Sequence, residues 1–245
     1  MKQTLDVPSS LKEITLRQYQ KFLKIQENNT DPYFLQCKMI EIFCNLDAKA
    51  VRLMKLSSAE QVANIINEIF AEKPAFVKSF YLNKTEYAFI PDFNNISFGE
   101  YIDLDTHISD WENMHLAMNV LYRPVKEKIG EKYLIMDYDI DNKDTMLDMP
   151  MSAVMGSIFF FLEFRDGLVS SYDELFGTGQ NGGLDSVSIF SKKWGWYQSI
   201  YALAKGDVRR FEDITKLELH QCLTALAFMK EKTELENKQI KKQFK

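Results

Sequence analysis

Thr15 with Gln18, Ser57 with Glu60, Ser97 with Glu100, and Thr215 with Glu218 each place a Ser or Thr three residues ahead of a Glu or Gln. This is the spacing of a capping box. The hydroxyl accepts from the backbone N–H three residues on, and the side chain there reaches back to the cap's own N–H. Each pair precedes an amphipathic run. Val62, Ile65, Ile66, Ile69 and Phe70 share one helical face before Pro74 stops the segment. Leu219, Leu223, Leu226 and the pair Phe228 and Met229 do the same near the C-terminus. With 10 Gly and 6 Pro in 245 residues, the chain lacks the punctuation of a turn-rich β architecture. The expectation is a mainly α, helical bundle-like protein, long enough to bury a core.

A small β-hairpin and strand element is expected around residues 80–138. FYLNKTEYAFI (residues 80–90) has β-formers on both sides of Asn83 and Lys84, and YLIMDY (residues 133–138) alternates like a short strand. Pro150 suits the first turn of a long helix over residues 151–175. Residues 177–183 read as a flexible break, residues 194–204 as an aromatic-rich helix, and Gly206 as its C-cap. Three regions follow: an N-terminal helical region (1–79), a β-hairpin plus helical hairpin (80–145), and a C-terminal helical region (146–245).

ITLRQYQKF (residues 14–22) resembles ISFGEYIDL (residues 96–104). Each opens with Ile and a capping Thr or Ser, and each has a Tyr five residues after the Ile, Tyr19 and Tyr101. In the apolar helices that follow, Met39 and Phe43 can be laid over Met118 and Tyr122 with a short gap. The pattern fits either an internal duplication or two generic capped helical hairpins.

The net charge of −5 and a pI near 5.4 argue against a dedicated nucleic-acid binder, which needs concentrated Lys and Arg. Lys238, Lys241, Lys242 and Lys245, in a stretch that also carries Glu231, Glu234 and Glu236, read as a solvated helix end complementing the dipole. Cys37, Cys44 and Cys222 are odd in number and lack metal-type spacing, so buried free thiols in a reducing compartment are expected. The N-terminal MKQTLDVPSS is unlike a signal peptide, and the longest apolar stretch, residues 153–164, is too short to span a bilayer. The expectation is a soluble protein of the cytoplasm with no membrane partner.

The densest chemistry lies in YIDLDTHISDWENMH (residues 101–115), with Asp103, Asp105, His107, Asp110, Glu112 and His115. Glu112 and His115 have the Glu-x-x-His spacing of di-iron bundles. Such a site needs that pair twice, and His220 follows Glu218 by two, the wrong spacing. His-Glu-x-x-His is absent. The stretch reads instead as the polar face of two helices. The second would start at its N-cap, Asp110, carry Met114, Ala117, Met118 and Leu121 on its apolar face, and stop at Pro124. GTGQNG (residues 177–182) matches Gly-x-Gly-x-x-Gly but follows a helical YDELF rather than a strand, so it reads as a connector. No nucleophile motif is present, and no catalytic residue, metal or cofactor is assigned. FFFLEF (residues 159–164) and WGWYQSIY (residues 194–201) carry more aromatic bulk than one helix face buries. They fill a core or form a protein-binding surface.

ISFGEYIDLD, WENMHLAMNVLYRPV, YLIMDYD, MPMSAVMGSIFFFLEF and the C-terminal WGWYQSIYALAKGDVRRFEDITKLELHQCLTALAFMKEKTELE resemble, as a pattern, tail assembly chaperones of tailed bacteriophages. Their Thr/Ser-x-Gly-Glu-Leu type of helix start is echoed by Ser97, Gly99 and Glu100. The resemblance covers residues 10–235 and carries no catalytic residue. It implies a helical, soluble, non-catalytic assembly factor in the host cytoplasm that shields an aggregation-prone helical partner, such as a tape measure or tail-tube protein. The surface residues chosen on that basis are Trp194, Trp196, Tyr197 and Tyr201, then Tyr101, Trp111, Met114 and Met118. A structural virion protein of the neck or connector, a homo-oligomer, is the alternative. A metal-dependent enzyme using residues 103–115 is the second alternative.

Overall fold

The computed structural model describes residues 5–142, 144–176 and 193–243. The protein is mostly helical (62%) with one small four-stranded antiparallel sheet. It divides into two compact units, Met1–Pro91 with His107–Phe160, and Asp92–Thr106 with Phe161–Lys245.

The first unit opens with α1 (Leu16–Glu27), α2 (Pro32–Phe43), α3 (Ala48–Arg52) and α4 (Leu56–Ala71). Thr15 caps α1 through a complete capping box with Gln18, as its spacing requires. The Ser57 box does not form, because Lys55 already takes the extended N-cap conformation and Ser57 falls inside α4. The sheet is a meander in the order β1 (Ser79–Leu82), β2 (Thr85–Phe89), β3 (Tyr122–Ile129), β4 (Lys132–Ile135). Asn83 and Lys84 both take positive φ in the tight turn that pairs Leu82 with Thr85. β3 was not foreseen. α6 (Met114–Leu121) ends three residues before Pro124, and the chain continues as a strand pairing Tyr122 with Phe89 and Pro124 with Tyr87.

Phe80, Phe89 and Tyr122 make one aromatic cluster, with ring centroids 5.0 and 5.3 Å from Tyr122. The buried Tyr122 hydroxyl donates to the Val77 carbonyl at 2.6 Å. Gly156, in the N-terminal part of α7 (Met151–Ser171), lies against this segment so closely that a Cβ there would sit 2.5 Å from the Ala75 carbonyl oxygen.

The second unit contains α5 (Phe98–His107) except its last residue, the later turns of α7, α8 (Asp173–Phe176), α9 (Trp196–Leu203), α10 (Phe211–Thr215) and α11 (Leu219–Gln243). Ser97 and Glu100 exchange both capping-box hydrogen bonds, at 2.9 and 3.2 Å. The Thr215 box does not form. Its hydroxyl turns back to the Glu212 carbonyl, and α11 begins only at Leu219. α9 closes with the left-handed Lys205 and the positive-φ Gly206, whose N–H reaches the Tyr201 carbonyl at 2.9 Å. Phe98, Tyr101, Leu104, Phe161, Leu219 and Leu223 form this unit's interior.

Candidate partner-binding surfaces

The helix expected over residues 194–204 begins only at Trp196, after the positive-φ Gly195, and the aromatic rings of α9 and of Trp194 before it form two groups that do different things. Trp196 turns inward. Its ring meets Phe98 at 5.7 Å and Tyr101 at 5.6 Å, both edge-on, and its Nε1–H donates to the Asp105 carboxylate at 2.9 Å. An indole needs this kind of partner when it is removed from water. Trp194, Tyr197 and Tyr201 turn outward, 41, 45 and 50% exposed. Their centroids are spaced 5.5 and 6.5 Å, and Phe211 meets Tyr197 edge-on at 5.4 Å. These three rings form an exposed aromatic ladder.

A second feature lies beside α9. Leu175, Phe176, Trp196, Leu223, Leu226 and Met229 line an open groove of about 430 Å³, rimmed by Lys230 and Glu234. Lys230 also donates to the Glu174 carbonyl at the end of α8. Leu175, Phe176, Leu226 and Met229 were missed from sequence. Leu226 and Met229 belong to the periodic run that marks α11, and only tertiary structure reveals that this helix outgrows its neighbours.

Three of the chosen surface residues are corrections. Tyr101, Met114 and Met118 are 2, 1 and 0% exposed, so none presents a side chain to a partner. Burial pushes the Tyr101 phenol well above its ordinary value. Trp111 is half-buried. Its ring meets Tyr19 edge-on at 4.9 Å, and its carbonyl accepts from Gln20 at 2.7 Å.

The acidic stretch is divided between the two units after Thr106. Asp105 holds Trp196. Asp110 does not cap a helix. It accepts from the Glu112 N–H and the Asn113 amide in a turn, and α6 starts only after Asn113. His115 lies by Gln20, and burial lowers its pKa. Among the described residues no three His, Cys, Asp or Glu side chains converge as a metal site would require. Burial raises the Cys44 and Cys222 thiols to about 11, so both are poor nucleophiles at neutral pH. The Gly-x-Gly-x-x-Gly stretch lies outside the described residues. No described helix is long and apolar enough to cross a membrane.

The chain matches no protein-family model, no curated protein and no solved structure.

Proposed function

We propose that this protein is a non-catalytic assembly factor of a tailed bacteriophage, most like a tail assembly chaperone, acting in the host cytoplasm. It shields a long helical partner of the tape-measure kind until the tail tube polymerises. The observation that carries the reading is the exposed aromatic ladder of Trp194, Tyr197 and Tyr201 in the unit that also holds the apolar groove. An amphipathic helix is held by such surfaces through apolar anchors at helical spacing. The helices of each unit are read as bundle-like supports for these faces.

The test is capture of tagged protein from producing cells, with and without Trp194→Ala, Tyr197→Ala and Tyr201→Ala together. A tape-measure-like chain recovered by the parent and lost by the folded triple variant, with the protein missing from mature particles, supports the reading. Capture unaffected by the triple variant sinks it. The second reading, a structural subunit of the neck or connector, draws on the exposed C-terminal turns of α11, which would suit a permanent contact. A fixed copy number in mature particles decides for it.

A further inference from the structure

From Phe228 to the end of α11 every residue is exposed, and Phe228, Leu235 and Ile240 are 65, 58 and 51% exposed. This stretch of 16 residues spans about 24 Å at 1.5 Å per residue. It therefore lacks the tertiary packing of an apolar face that supplies most helical stability in proteins.

Two faces can be told apart. Leu226, Met229, Lys230, Thr233 and Glu234 border the apolar groove. Phe228, Glu231, Leu235, Lys238 and Lys242 do not. They recur at intervals of three and four and so form one seam along the helix surface, with Phe228 and Leu235, seven residues apart, as its apolar positions. Along this seam the charge changes sign: Glu231 comes first, then Lys238 and Lys242. The helix dipole explains Lys242, in the last turn, but not the rest of the arrangement. Its influence falls off within the last turn, whereas Glu231 and Lys238 lie deeper in the helix.

We propose that this seam is where a second copy of the chain docks, with the two α11 ends antiparallel. Antiparallel pairing sets Glu231 of each copy beside the lysines of the other, so the complementary contact is made twice. Parallel pairing sets Glu231 against Glu231 and lysine against lysine. The apolar part of the contact comes from Phe228 and Leu235. Because the seam avoids the groove, the dimer leaves the groove open, and the inference does not depend on the proposed function.

The experiment is sedimentation velocity of the full chain over a dilution series, with charge-reversed partners. The parent sediments at twice the monomer mass. Glu231→Lys makes the seam wholly basic, and Lys238→Glu with Lys242→Glu makes it wholly acidic. Each variant alone sediments as a monomer, and an equimolar mixture of the two restores the doubled mass. Leu235→Asp gives a monomer that the mixture does not rescue. All these side chains are exposed, so circular dichroism should match the parent. A parent that stays monomeric throughout overturns the proposal. So do charge variants that still dimerise alone, or a mixture that stays monomeric.

Discussion

The two units are built around the same local device. In the first, the Leu16 N–H donates to the Met149 carbonyl at 3.0 Å and the Met151 N–H to the Ile14 carbonyl at 2.8 Å. In the second, the Phe98 N–H donates to the Leu217 carbonyl at 2.7 Å and the Leu219 N–H to the Ile96 carbonyl at 3.0 Å. Each pair of bonds is an antiparallel bridge, Thr15 with Pro150 and Ser97 with Glu218. On one side of each bridge is a capping residue that starts a helix, α1 or α5. On the other is the start of a long helix, α7 or α11. Buried Ile14 and Leu16 flank one cap, and buried Ile96 and Phe98 the other. The parallel extends one turn further. Tyr19 meets Trp111 edge-on, and Tyr101 meets Trp196 edge-on.

The likeness has limits. The overlay of Met39 and Phe43 on Met118 and Tyr122 does not extend the repeat, because α6 lies in the first unit and Tyr122 opens β3. Burial differs as well: Tyr101 is 2% exposed, while Tyr19 is only half-buried. The device is shared, and the packing built around it is particular to each unit.

The largest expected effect tests that last difference. Tyr101→Ala should cost about 4 kcal/mol, in the range for truncating a buried aromatic, and Tyr19→Ala about half of that. Urea midpoints of the two variants measure the ratio. Equal losses would mean that the two tyrosines are equivalent despite their different burial.

The next test compares one position in the two helices, the second residue after each cap. In the second unit this is Gly99, where a Cβ would stand 2.9 Å from Thr215 Cβ and 3.1 Å from the Thr215 carbonyl oxygen. Gly99→Ala should therefore destabilise by about 1–2 kcal/mol through overpacking. In the first unit it is Arg17, whose pair with Asp148 is more than half exposed on both sides. Arg17→Ala should change stability by about 0.5 kcal/mol or less. A Gly99→Ala variant as stable as the parent would show that Thr215 yields without cost.

Much of this could be read from the sequence, for a physical reason. Caps, turns and helical periodicity are local, and Thr15, Ser97, Asn83 with Lys84, and Pro150 all act within a few residues of themselves. Even so, a box is only a local option. Ser57 and Thr215 have the right spacing, but Ser57 already lies inside α4 and Thr215 ends α10. β3 was hidden because Lys126, Glu127 and Lys128 break any alternation, and its pairing with β2 is long-range. The aromatic surface was half legible. Trp194 and Trp196 stand on either side of Gly195, whose positive φ breaks the helix between them, so helical spacing does not decide which of them faces a partner. Which of them turned inward depended on Phe98, Tyr101 and Asp105, nearly a hundred residues away.

The caps give the sharpest test of equivalence at smaller cost. Thr15→Ala and Ser97→Ala should each lose about 1 kcal/mol, since both hydroxyls accept a helix N–H in a complete box. Amide exchange at Met151 and Leu219, the bridge donors to Ile14 and Ile96, would report each unit separately. Losses that differ by a factor of two or more would mean that one bridge bears on its helix start and the other does not.

The smallest effect concerns a histidine beside one of the two tyrosine–tryptophan pairs. His115 lies 3.4 Å from the Gln20 amide that also holds the Trp111 carbonyl. Burial lowers its pKa below the ordinary 6.5. Asp144 and the Glu112 carbonyl oppose that shift, while His107 and Arg17 add to it. The sign follows from linkage. Below pH 6.5 the unfolded chain takes up a proton that the folded chain refuses, so this contribution to stability is complete above 6.5. It falls as pH drops through 6.5 and levels off once the folded histidine protonates as well. Urea midpoints from about pH 7.5 to about 5.5 should decline in the parent, and less steeply in His115→Gln, which keeps a neutral polar side chain against Gln20. Equal slopes would show that the imidazole is solvated well enough to protonate in the folded state, and that the neighbourhood of Trp111 is more open than that of Trp196.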